Sequence, residues 1–278
     1  MQNKKNLPLV SVSIPTLNSA KTIAKTLDSL KNQTYKNIEI IIGDGGSKDD
    51  TVKIARKYGA IICYGKALGK ARFEILQKAR GKYVITIDSD QYVGKTLIER
   101  AVKKMEKNDY DGLILNEESV IGKNTFIEKL LAYDKWVVVS SKDHNPLFGA
   151  EIPRMFKRKN MLTFKWPKTV SILDDAILFK DNLAKLKNVG YLGGDGIKHK
   201  EVDDFFVFFK KFMRYGKLYS GTLKVSGSTT LAHSLPRRNY FRMEVIKRPN
   251  VFLSLMILYL IKGVAVTCGI ISYKLTGK

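Results

Sequence analysis

Two carboxylates, Asp88 and Asp90, stand directly after the apolar run at residues 83–87, with the small residue Ser89 between them. The run is rich in β-branched residues, which is typical of a buried parallel strand. Ligands bind outside the carboxyl ends of the strands in an open α/β sheet, so two acids at that place could hold Mg²⁺ or Mn²⁺. A solvated turn is the alternative interpretation, because Asp and Ser are common turn residues.

The loop at residues 43–51 is the second candidate for chemistry. It follows the apolar run 38–42 and precedes a predicted helix, so its backbone N–H groups and the positive end of that helix would face the same crevice. Asp44, the first residue past the strand, could accept hydrogen bonds from a ribose hydroxyl or a base N–H. A Gly-rich turn in which Ser47 or Asp50 caps the helix is the alternative.

Alternating strands and helices must position these loops. Short apolar runs predict strands at 9–14, 38–42, 60–64, 83–87 and 113–115. Helical spacing of apolar residues between them predicts amphipathic helices, for example over 70–79, with Ser19 as a suitable N-cap of the first helix. This alternation predicts a three-layer α/β/α fold with a mostly parallel, doubly wound sheet and a Rossmann-like nucleotide-binding half.

The composition narrows the class of protein. The 278 residues include 49 Lys and Arg against 26 Asp and Glu, a formal charge of +23, which implies an anionic partner such as nucleic acid, a membrane surface or a phosphorylated substrate. An apolar content of 44% excludes a disordered chain. Cys63 and Cys268 are the only cysteines, so neither a disulfide framework nor a cysteine metal site is expected. The polar start, Met1–Pro8, predicts no signal peptide.

Five segments, in this order and spacing, resemble the family-two glycosyltransferases of the A-type, nucleotide-diphospho-sugar-binding fold. They are Val12-Ser13-Ile14-Pro15-Thr16-Leu17-Asn18, Leu30-Lys31-Asn32-Gln33-Thr34-Tyr35, Asp44-Gly45-Gly46-Ser47-Lys48-Asp49-Asp50-Thr51, Gly69-Lys70-Ala71-Arg72 and Asp88-Ser89-Asp90. The resemblance is strong over residues 1–115 and weaker to about residue 215. One departure is Phe73, because the family often has Asn after Ala-Arg.

The resemblance implies a role for each motif. The nucleotide-sugar would be bound by Pro15, Thr16, Asn18, Asp44, Gly45, Arg72, Asp88 and Ser89. Pro15 and Thr16 would line the base, and Arg72 would lie near the base and phosphates. Asp90, with Asp88 and His199, would hold Mg²⁺ or Mn²⁺; a solvated His among lysines is the alternative for His199.

Asp174 and Asp175 resemble the acidic pair that supplies the family's catalytic base. Asp175 is the predicted base, which would deprotonate an acceptor hydroxyl, and Asp174 is the competing candidate. A phosphate acceptor would need no base, and Asp175 would then help to position it. The alternative is that both acids cap a helix. The basic cluster Arg154, Lys157 and Arg158 would cover a phosphate group or form a solvated face.

The last third of the chain suggests a membrane. Residues 204–221 interleave aromatic and basic residues, which suits a lipid interface, single-stranded nucleic acid, or a helix packed on the catalytic domain. Residues 251–273 are nearly all apolar, apart from Lys262. They could cross a bilayer once or form an interfacial hairpin hinged near Lys262-Gly263. The basic residues before Pro249 predict a cytosolic side.

The resulting interpretation is a membrane-associated, metal-dependent, inverting glycosyltransferase with its catalytic domain on the cytoplasmic side. Residues 1–225 would form this domain (1–115 for the nucleotide-sugar, 116–225 for the acceptor), followed by the membrane-associated segment 226–278. A UDP- or GDP-sugar would donate to a lipid-linked acceptor, either a polyprenyl or dolichyl phosphate or a lipid-carried glycan. The alternatives are a nucleotidyltransferase and a nucleic-acid-binding protein; clustered carboxylates would repel a phosphate chain and argue against the latter.

Overall fold

The computed structural model describes residues 7–140, 152–232 and 236–276, and most of the polar N-terminal stretch lies outside these ranges. The chain divides into two compact units that interleave along the sequence. The first unit comprises Met1–Glu117, Pro153–Thr169 and Asp181–His199, and the second comprises Glu118–Ile152, Val170–Lys180 and Lys200–Lys278. The functional boundaries expected at residues 115 and 225 stay predictions.

Among the described residues, eight strands form one sheet in the order β3-β2-β1-β4-β7-β6-β8-β5. They are β1 (Val10–Thr16), β2 (Ile38–Asp44), β3 (Ile61–Tyr64), β4 (Tyr83–Thr86), β5 (Gln91–Val93), β6 (Gly112–Val120), β7 (Met155–Lys157) and β8 (Val189–Lys200). Strands β3, β2, β1 and β4 pair in parallel, whereas β7 is antiparallel to β4 and β6, and β5 is antiparallel to β8. The α/β class is therefore confirmed, and its parallel pairing lies in one half of the sheet.

The helices of the described residues are α1 (Ile23–Lys31), α2 (Thr51–Lys57), α3 (Leu68–Lys78), α4 (Leu97–Asn108), α5 (Phe126–Val139), α6 (Arg158–Met161), α7 (Asp174–Asn182), α8 (Phe205–Val225), α9 (Gly227–Ala232), α10 (Met243–Ile246) and α11 (Pro249–Thr276). Short 3-10 turns cover Leu183–Lys185 and Arg238–Phe241. The predicted N-cap of α1 is wrong: Thr22 occupies that position, and Ser19 lies before it.

Strand β1 is buried on both faces of the sheet. Val10, Val12 and Ile14 belong to the core cluster that also contains apolar residues of α1 and α4. Helix α3 packs on the opposite face, where Gly43 of β2 makes the close approach possible, because a Cβ there would lie 2.7 Å from the carbonyl oxygen of Ala71. Both faces of β1 are thus buried, with the apolar side chains on one and the small Ser11 and Ser13 on the other.

Helices α5, α8 and α11 build the second unit. Phe208 of α8 and Leu258 of α11 share one buried cluster, and Lys262 Nζ lies 5.4 Å from the ring centroid of Phe212. Farther along, Gly216 faces Val266, since a Cβ on this glycine would lie 2.1 Å from the Val266 carbonyl oxygen. Both residue numbers rise together, so α8 and α11 run side by side in the same direction.

Helix α11 is continuous over 28 residues, so the hairpin hinged at Lys262-Gly263 is wrong. The charge that suggested a break has a partner, because Lys262 Nζ lies 2.9 Å from Asp134 Oδ2 of α5. Tyr240 donates a hydrogen bond to the other oxygen of Asp134 at 2.7 Å, and Arg237 Nε lies 3.5 Å from it. A buried carboxylate thus compensates the lysine inside the unit.

The contact between α8 and α11 predicts opposite effects for two glycines of the same helix. A Cβ on Gly269 would lie 2.0 Å from the carbonyl oxygen of Met213, whereas a Cβ on Gly263 meets nothing within 4 Å. We expect Gly269→Ala to destabilise the protein by about 1–3 kcal/mol through overpacking. The control Gly263→Ala should stabilise it by about 0.5–1 kcal/mol, since Gly disfavours helix. Urea denaturation measures both, and equal effects would contradict the close packing.

Candidate active site

The carboxyl ends of β1 and β2 carry a closed set of hydrogen bonds around Asp44. Thr16 and Asp44 are partners in the parallel register, and Thr16 Oγ1 donates to Asp44 Oδ1 at 2.9 Å. Ser47 Oγ donates to the same oxygen at 2.6 Å, and the N–H groups of Gly46 and Ser47 donate to Oδ2 at 2.9 and 2.8 Å. All four acceptor positions of the carboxylate are therefore used within the protein.

These bonds keep Asp44 ionised although its side chain is buried. Burial raises the pKa of Asp44, but the hydrogen bonds from Ser47, Thr16 and Gly46 outweigh burial and hold the pKa below its ordinary value. A ligand hydroxyl would have to replace Thr16 or Ser47 as donor. The direct contact of Asp44 with a nucleotide stays a prediction, and its observed contacts shape the loop.

The loops after β1 and β2 also bind each other directly. Asn18 adopts a left-handed backbone with φ +52°, and its N–H donates to Ser47 Oγ at 2.8 Å. In return, its side-chain Oδ1 accepts from the N–H of Lys48 at 2.9 Å. The N–H of Gly45 donates to the carbonyl oxygen of Thr16 at 2.8 Å. Two motifs that lie about 30 residues apart in sequence thus form one rigid rim.

A second network surrounds Asp88, just past β4. Arg72 Nη2 donates to Asp88 Oδ1 at 2.9 Å, and Arg154 Nη1 lies 3.6 Å from Oδ2. Arg154 Nη2 also pairs with Glu117 at 3.1 Å, and Gln91 Nε2 donates to Glu117 at 3.2 Å. The ring closes because the N–H of Asp88 donates to Gln91 Oε1 at 2.9 Å.

The two guanidinium groups determine the charge of Asp88. Burial raises the pKa of this carboxyl, but Arg72 and Arg154 outweigh burial and hold the pKa well below its usual range. Arg72 is a buried partner of Asp88, so the alternative of a solvated helix-face charge does not apply. The predicted role of Asp88 as a metal ligand stays a prediction, with arginines already beside its oxygens.

The basic cluster of the sequence does not act as one group. Arg154 reaches Asp88, whereas the buried Lys157 pairs with Asp109 at 2.7 Å and with Asp111 at 3.4 Å. Arg158 has a buried Nε without a hydrogen-bond partner in the structure. Lys157 is therefore a structural residue of the first unit, and neither predicted role of the cluster fits it.

Asp90 and His199 are brought together by the antiparallel pairing of the short strand β5 with β8. Gln91 of β5 is the register partner of His199 of β8, which places His199 Nε2 3.3 Å from Asp90 Oδ2. The side chain of Asp90 is 45% exposed and that of His199 18%. Ser89, between the two acids, is fixed by a hydrogen bond of 2.8 Å between its hydroxyl and that of Ser19.

The pair of Asp90 and His199 fits a shared divalent ion. Neighbouring ligands of an octahedral ion lie about 3.0 Å apart when each is about 2.1 Å from the metal, which is close to the observed separation. A carboxylate oxygen and an imidazole nitrogen suit Mn²⁺, and carboxylates also suit Mg²⁺. Within the described ranges, no group of three His, Cys, Asp or Glu residues could hold a metal, so further ligands would come from a bound substrate or water.

Phe73, the departure from the family motif, lies in α3 and contacts the segment at residues 166–168. Its ring lies 6.1 Å from that of Trp166 in an edge arrangement, and Lys168 Nζ lies 3.6 Å from its centroid. Gly69 lets the same segment approach, since a Cβ there would lie 2.1 Å from the carbonyl oxygen of Pro167. The aromatic ring therefore anchors residues 166–168 to α3.

Asp174 and Asp175 are the first two residues of α7 and belong to the second unit, whereas the other predicted site residues belong to the first. Asp174 is buried, and Asp175 Oδ1 accepts from the N–H of Ala176 at 2.8 Å. Leu173, directly before them, has φ +57°. A bulky residue in the left-handed region is a strained conformation, and such strain clusters at functional sites.

The model of the family described as glycosyl transferase family 2 matches residues 11–186, more than half of the chain. The chain belongs to glycosyltransferase family 2. The match covers both loops of the rim, the Asp88 network and the acidic pair. Family membership is therefore established by the sequence match, and the A-type fold expected from the motifs is supported by solved structures.

Three proteins illustrate what this family member resembles. The Escherichia coli UDP-Glc:alpha-D-GlcNAc-diphosphoundecaprenol beta-1,3-glucosyltransferase WfaP is 42% identical over 106 residues, which cover 36% of this chain and 42% of WfaP. The Staphylococcus aureus TarS 1–349 structure in complex with UDP has a TM-score of 0.57 and 16% identity, and the alignment covers 97% of this chain and 92% of that one. Glucosyl-3-phosphoglycerate synthase from Mycobacterium tuberculosis, in complex with Mn²⁺, UDP and glucosyl-3-phosphoglycerate, has a TM-score of 0.51 and 20% identity, over 79% of this chain and 80% of that one.

The glycosyltransferase chain spans less than two thirds of the length of the first curated relatives it matches. The two solved structures share its fold, at identities too low to transfer their substrates. Donor, acceptor and metal are therefore matters for proposal.

Sequence reasoning missed Gln91 and Glu117, which complete the ring around Asp88. Gln91 directly follows the Asp88-Ser89-Asp90 motif. It begins a strand of only three residues, which the sequence pattern does not predict. Glu117 lies at the polar end of β6, whose burial changes after four residues. The available signal in the sequence was a glutamine directly after two acids at the end of a predicted buried strand. A buried amide needs hydrogen-bond partners.

The Asp44 network predicts a pH-dependent loss of stability. We expect Asp44→Asn to destabilise the first unit by about 2 kcal/mol at pH 7, because the donors lose a charged acceptor. The pKa of Asp44 is lowered in the folded state, so its contribution is complete above the unfolded pKa of about 3.9 and is lost as the pH falls below it.

Urea denaturation of the parent protein and of Asp44→Asn from pH 7 to pH 3 tests this pH dependence. The difference in free energy of unfolding should narrow below about pH 4. Asp50→Asn in the same loop is the matched control, because Asp50 is 70% exposed and lies 3.8 Å from Lys53. A difference that is independent of pH would contradict the ionised role of Asp44.

Proposed function

We propose that this family member is an inverting, divalent-metal-dependent glycosyltransferase that moves a sugar from a UDP-sugar to a lipid-linked acceptor at a membrane. The observation that carries the proposal is the contact of 3.3 Å between Asp90 and His199. Asp90 lies just past β4, as Asp88 does, and His199 lies in β8. One carboxylate and one imidazole leave most of an ion's coordination positions for diphosphate oxygens.

Asp90 and His199 would hold the ion, which supplies charge stabilisation for the diphosphate leaving group. The mycobacterial synthase was crystallised with Mn²⁺ together with UDP, which supports this assignment. The two arginines beside Asp88 would add positive charge from the protein itself. Arg72 and Arg154 are both fixed by ion pairs, so they can stabilise negative charge without reorganising.

The rim formed by the loops after β1 and β2 would bind the nucleotide. Pro15, Thr16, Asn18 and Gly45 lie in these loops, and their mutual hydrogen bonds hold the backbone in place before a ligand arrives. Both solved structures named above are complexes with UDP, which favours a UDP-sugar over a GDP-sugar.

We propose Asp175 as the catalytic base, with Asp174 as the alternative. In a direct displacement, the acceptor oxygen forms a bond to the anomeric carbon while the bond from that carbon to the diphosphate breaks. Asp175 takes the proton of the acceptor hydroxyl. If the acceptor oxygen belongs to a phosphate, it is already ionised and Asp175 positions it. The left-handed Leu173 supports a functional site at the start of α7.

The acceptor proposal rests on two observations. The name of WfaP gives a sugar carried on diphosphoundecaprenol as its acceptor. Helix α11 has the length and composition to cross a membrane and is only 22% buried within its most apolar window. Membrane association brings an enzyme to lipid-linked substrates, and the basic residues before Pro249 favour the cytoplasmic side.

The metal assignment predicts the effect of Asp90→Ala. Because the variant removes one of two protein ligands, transfer should fall at least about 100-fold, while the urea midpoint stays near that of the parent. UDP release from UDP-glucose and UDP-N-acetylglucosamine, measured with Mn²⁺ and with a chelator, gives the readout. Asp50→Ala serves as the exposed-acid control. Undiminished transfer by the Asp90 variant, or by the parent in chelator, would refute metal dependence.

The base assignment predicts separate effects on binding and turnover. Asp175→Asn should keep donor binding, measured as thermal stabilisation by UDP and Mn²⁺, and lower transfer to a hydroxyl acceptor by about 10²–10⁴-fold. Asp174→Asn is the comparison, and a larger loss there would assign the base to Asp174. Loss of donor affinity in Asp175→Asn would show that this residue belongs to the donor site.

A further inference from the structure

A stripe of apolar side chains, exposed in the part of the chain that the structure describes, runs along α11. Leu253, Leu260, Val264, Ile271 and Leu275 are 60%, 64%, 57%, 51% and 81% exposed. They follow one another at intervals of seven, four, seven and four residues, which places all five on one line of an α-helix. The stripe extends for about 33 Å at 1.5 Å per residue. Lys262 lies on the opposite side of the helix, where it pairs with Asp134.

Exposed apolar side chains concentrate in the second unit. Of the 22 large apolar residues that are exposed in the described chain, 17 lie in that unit, although it is the smaller of the two. Phe205 and Phe206 at the start of α8 are among them, with 42% and 72% exposure. A contiguous apolar surface of this kind marks an interaction site.

Helix α8 determines how deeply the stripe can enter a lipid phase. Lys210, Arg214, Lys217 and Lys224 recur at intervals of four, three and seven residues, which again places them along one side of a helix. These cations belong at the level of lipid headgroups, because charged side chains are costly in the hydrocarbon core. Their charge complements an anionic surface.

The two helices cannot separate at low cost. Gly216 and Gly269 bring the backbones of α8 and α11 into direct contact, and Lys262 is tied to Asp134 of α5. A crossing by α11 would either draw the cations of α8 into the hydrocarbon core or break this contact and leave Lys262 without its carboxylate.

We propose that α8 and α11 dock together on an anionic lipid bilayer and that α11 lies in one leaflet without crossing. The apolar stripe enters the boundary between headgroups and acyl chains, and the cations of α8 meet the headgroups. This inference rests on the membrane association proposed above and specifies its geometry. In this arrangement both ends of α11 lie on the same side of the membrane.

Vesicle flotation of the full chain tests the docking surface. We expect flotation with vesicles of phosphatidylcholine and phosphatidylglycerol, and less with phosphatidylcholine alone. The double variant Leu260→Asp and Val264→Asp should lose binding more than tenfold, since both residues lie on the stripe. Leu162→Asp is the matched control, because Leu162 is an apolar residue of the first unit with 47% exposure. Equal flotation of all three proteins would overturn the stripe as the docking surface.

Labelling from one side tests the topology. Asn250→Cys and Thr276→Cys, each with Cys63 and Cys268 replaced by Ser, mark the two ends of α11. In inside-out membrane vesicles from expressing cells, both cysteines should react with an impermeant maleimide without detergent. Protection of the cysteine at residue 276 until detergent is added would show a crossing helix and overturn the inference, while membrane association would stand.

Two further outcomes separate this inference from the proposed function. A parent chain that does not float but still transfers sugar in solution would overturn both membrane association and docking, without touching the enzyme assignment. A parent chain that forms a stable dimer and does not float, while the double variant is monomeric, would show that a second copy covers the stripe and would overturn the inference. Light scattering on the same samples measures the oligomeric state.

Discussion

One carboxylate, Asp88, shared by two guanidinium groups, holds the polar end of the first unit's sheet together. Arg72 comes from α3 and Arg154 from the residue before β7, so the ion pairs join a helix to a strand on either side of β4. Each arginine would be a costly isolated charge without the acid, and without the arginines burial would raise the pKa of Asp88. Glu117 and Gln91 then satisfy the groups that remain. The adjacent Asp90 is left facing His199 and open to solvent.

The chain has a formal charge of +23, but only a few of its cationic side chains lie in the candidate active site. Those it uses are immobilised against carboxylates, as Arg72 and Arg154 are, whereas the excess lies elsewhere, for example along α8. Fixed charges of both signs can discriminate between ligands, because a wrongly placed phosphate meets Asp88 or Asp44. An unbalanced basic surface attracts any polyanion. Under the proposed function, this arrangement would separate recognition of the donor from attraction to a membrane surface.

The parallel half of the sheet was predictable because its strands are short runs rich in apolar residues and its loops carry their own hydrogen-bond partners. Every donor to Asp44 comes from the motifs at residues 12–18 and 44–51. The antiparallel half was not, because β5 and β7 are three residues long and show no alternation. The contact of Asp90 with His199 spans 109 residues of sequence and depends on that short pairing. The strain at Leu173 was equally hidden, since leucine gives no signal for a positive φ. A lone lysine in an apolar helix did call for a partner, and Asp134 in the apolar α5 was the acid to consider.

The ion pair of Asp134 and Lys262 joins residues 128 positions apart, and its partners lie in segments of the second unit that flank pieces of the first. A ribosome makes the acid long before the base. During synthesis, Asp134 and the apolar face of α5 therefore lack their native contacts until α11 has left the ribosomal exit tunnel. Contacts between residues so far apart in sequence slow folding and prolong the lifetime of aggregation-prone intermediates. The nascent chain is thus most in need of a chaperone or a receiving surface just before α11 emerges.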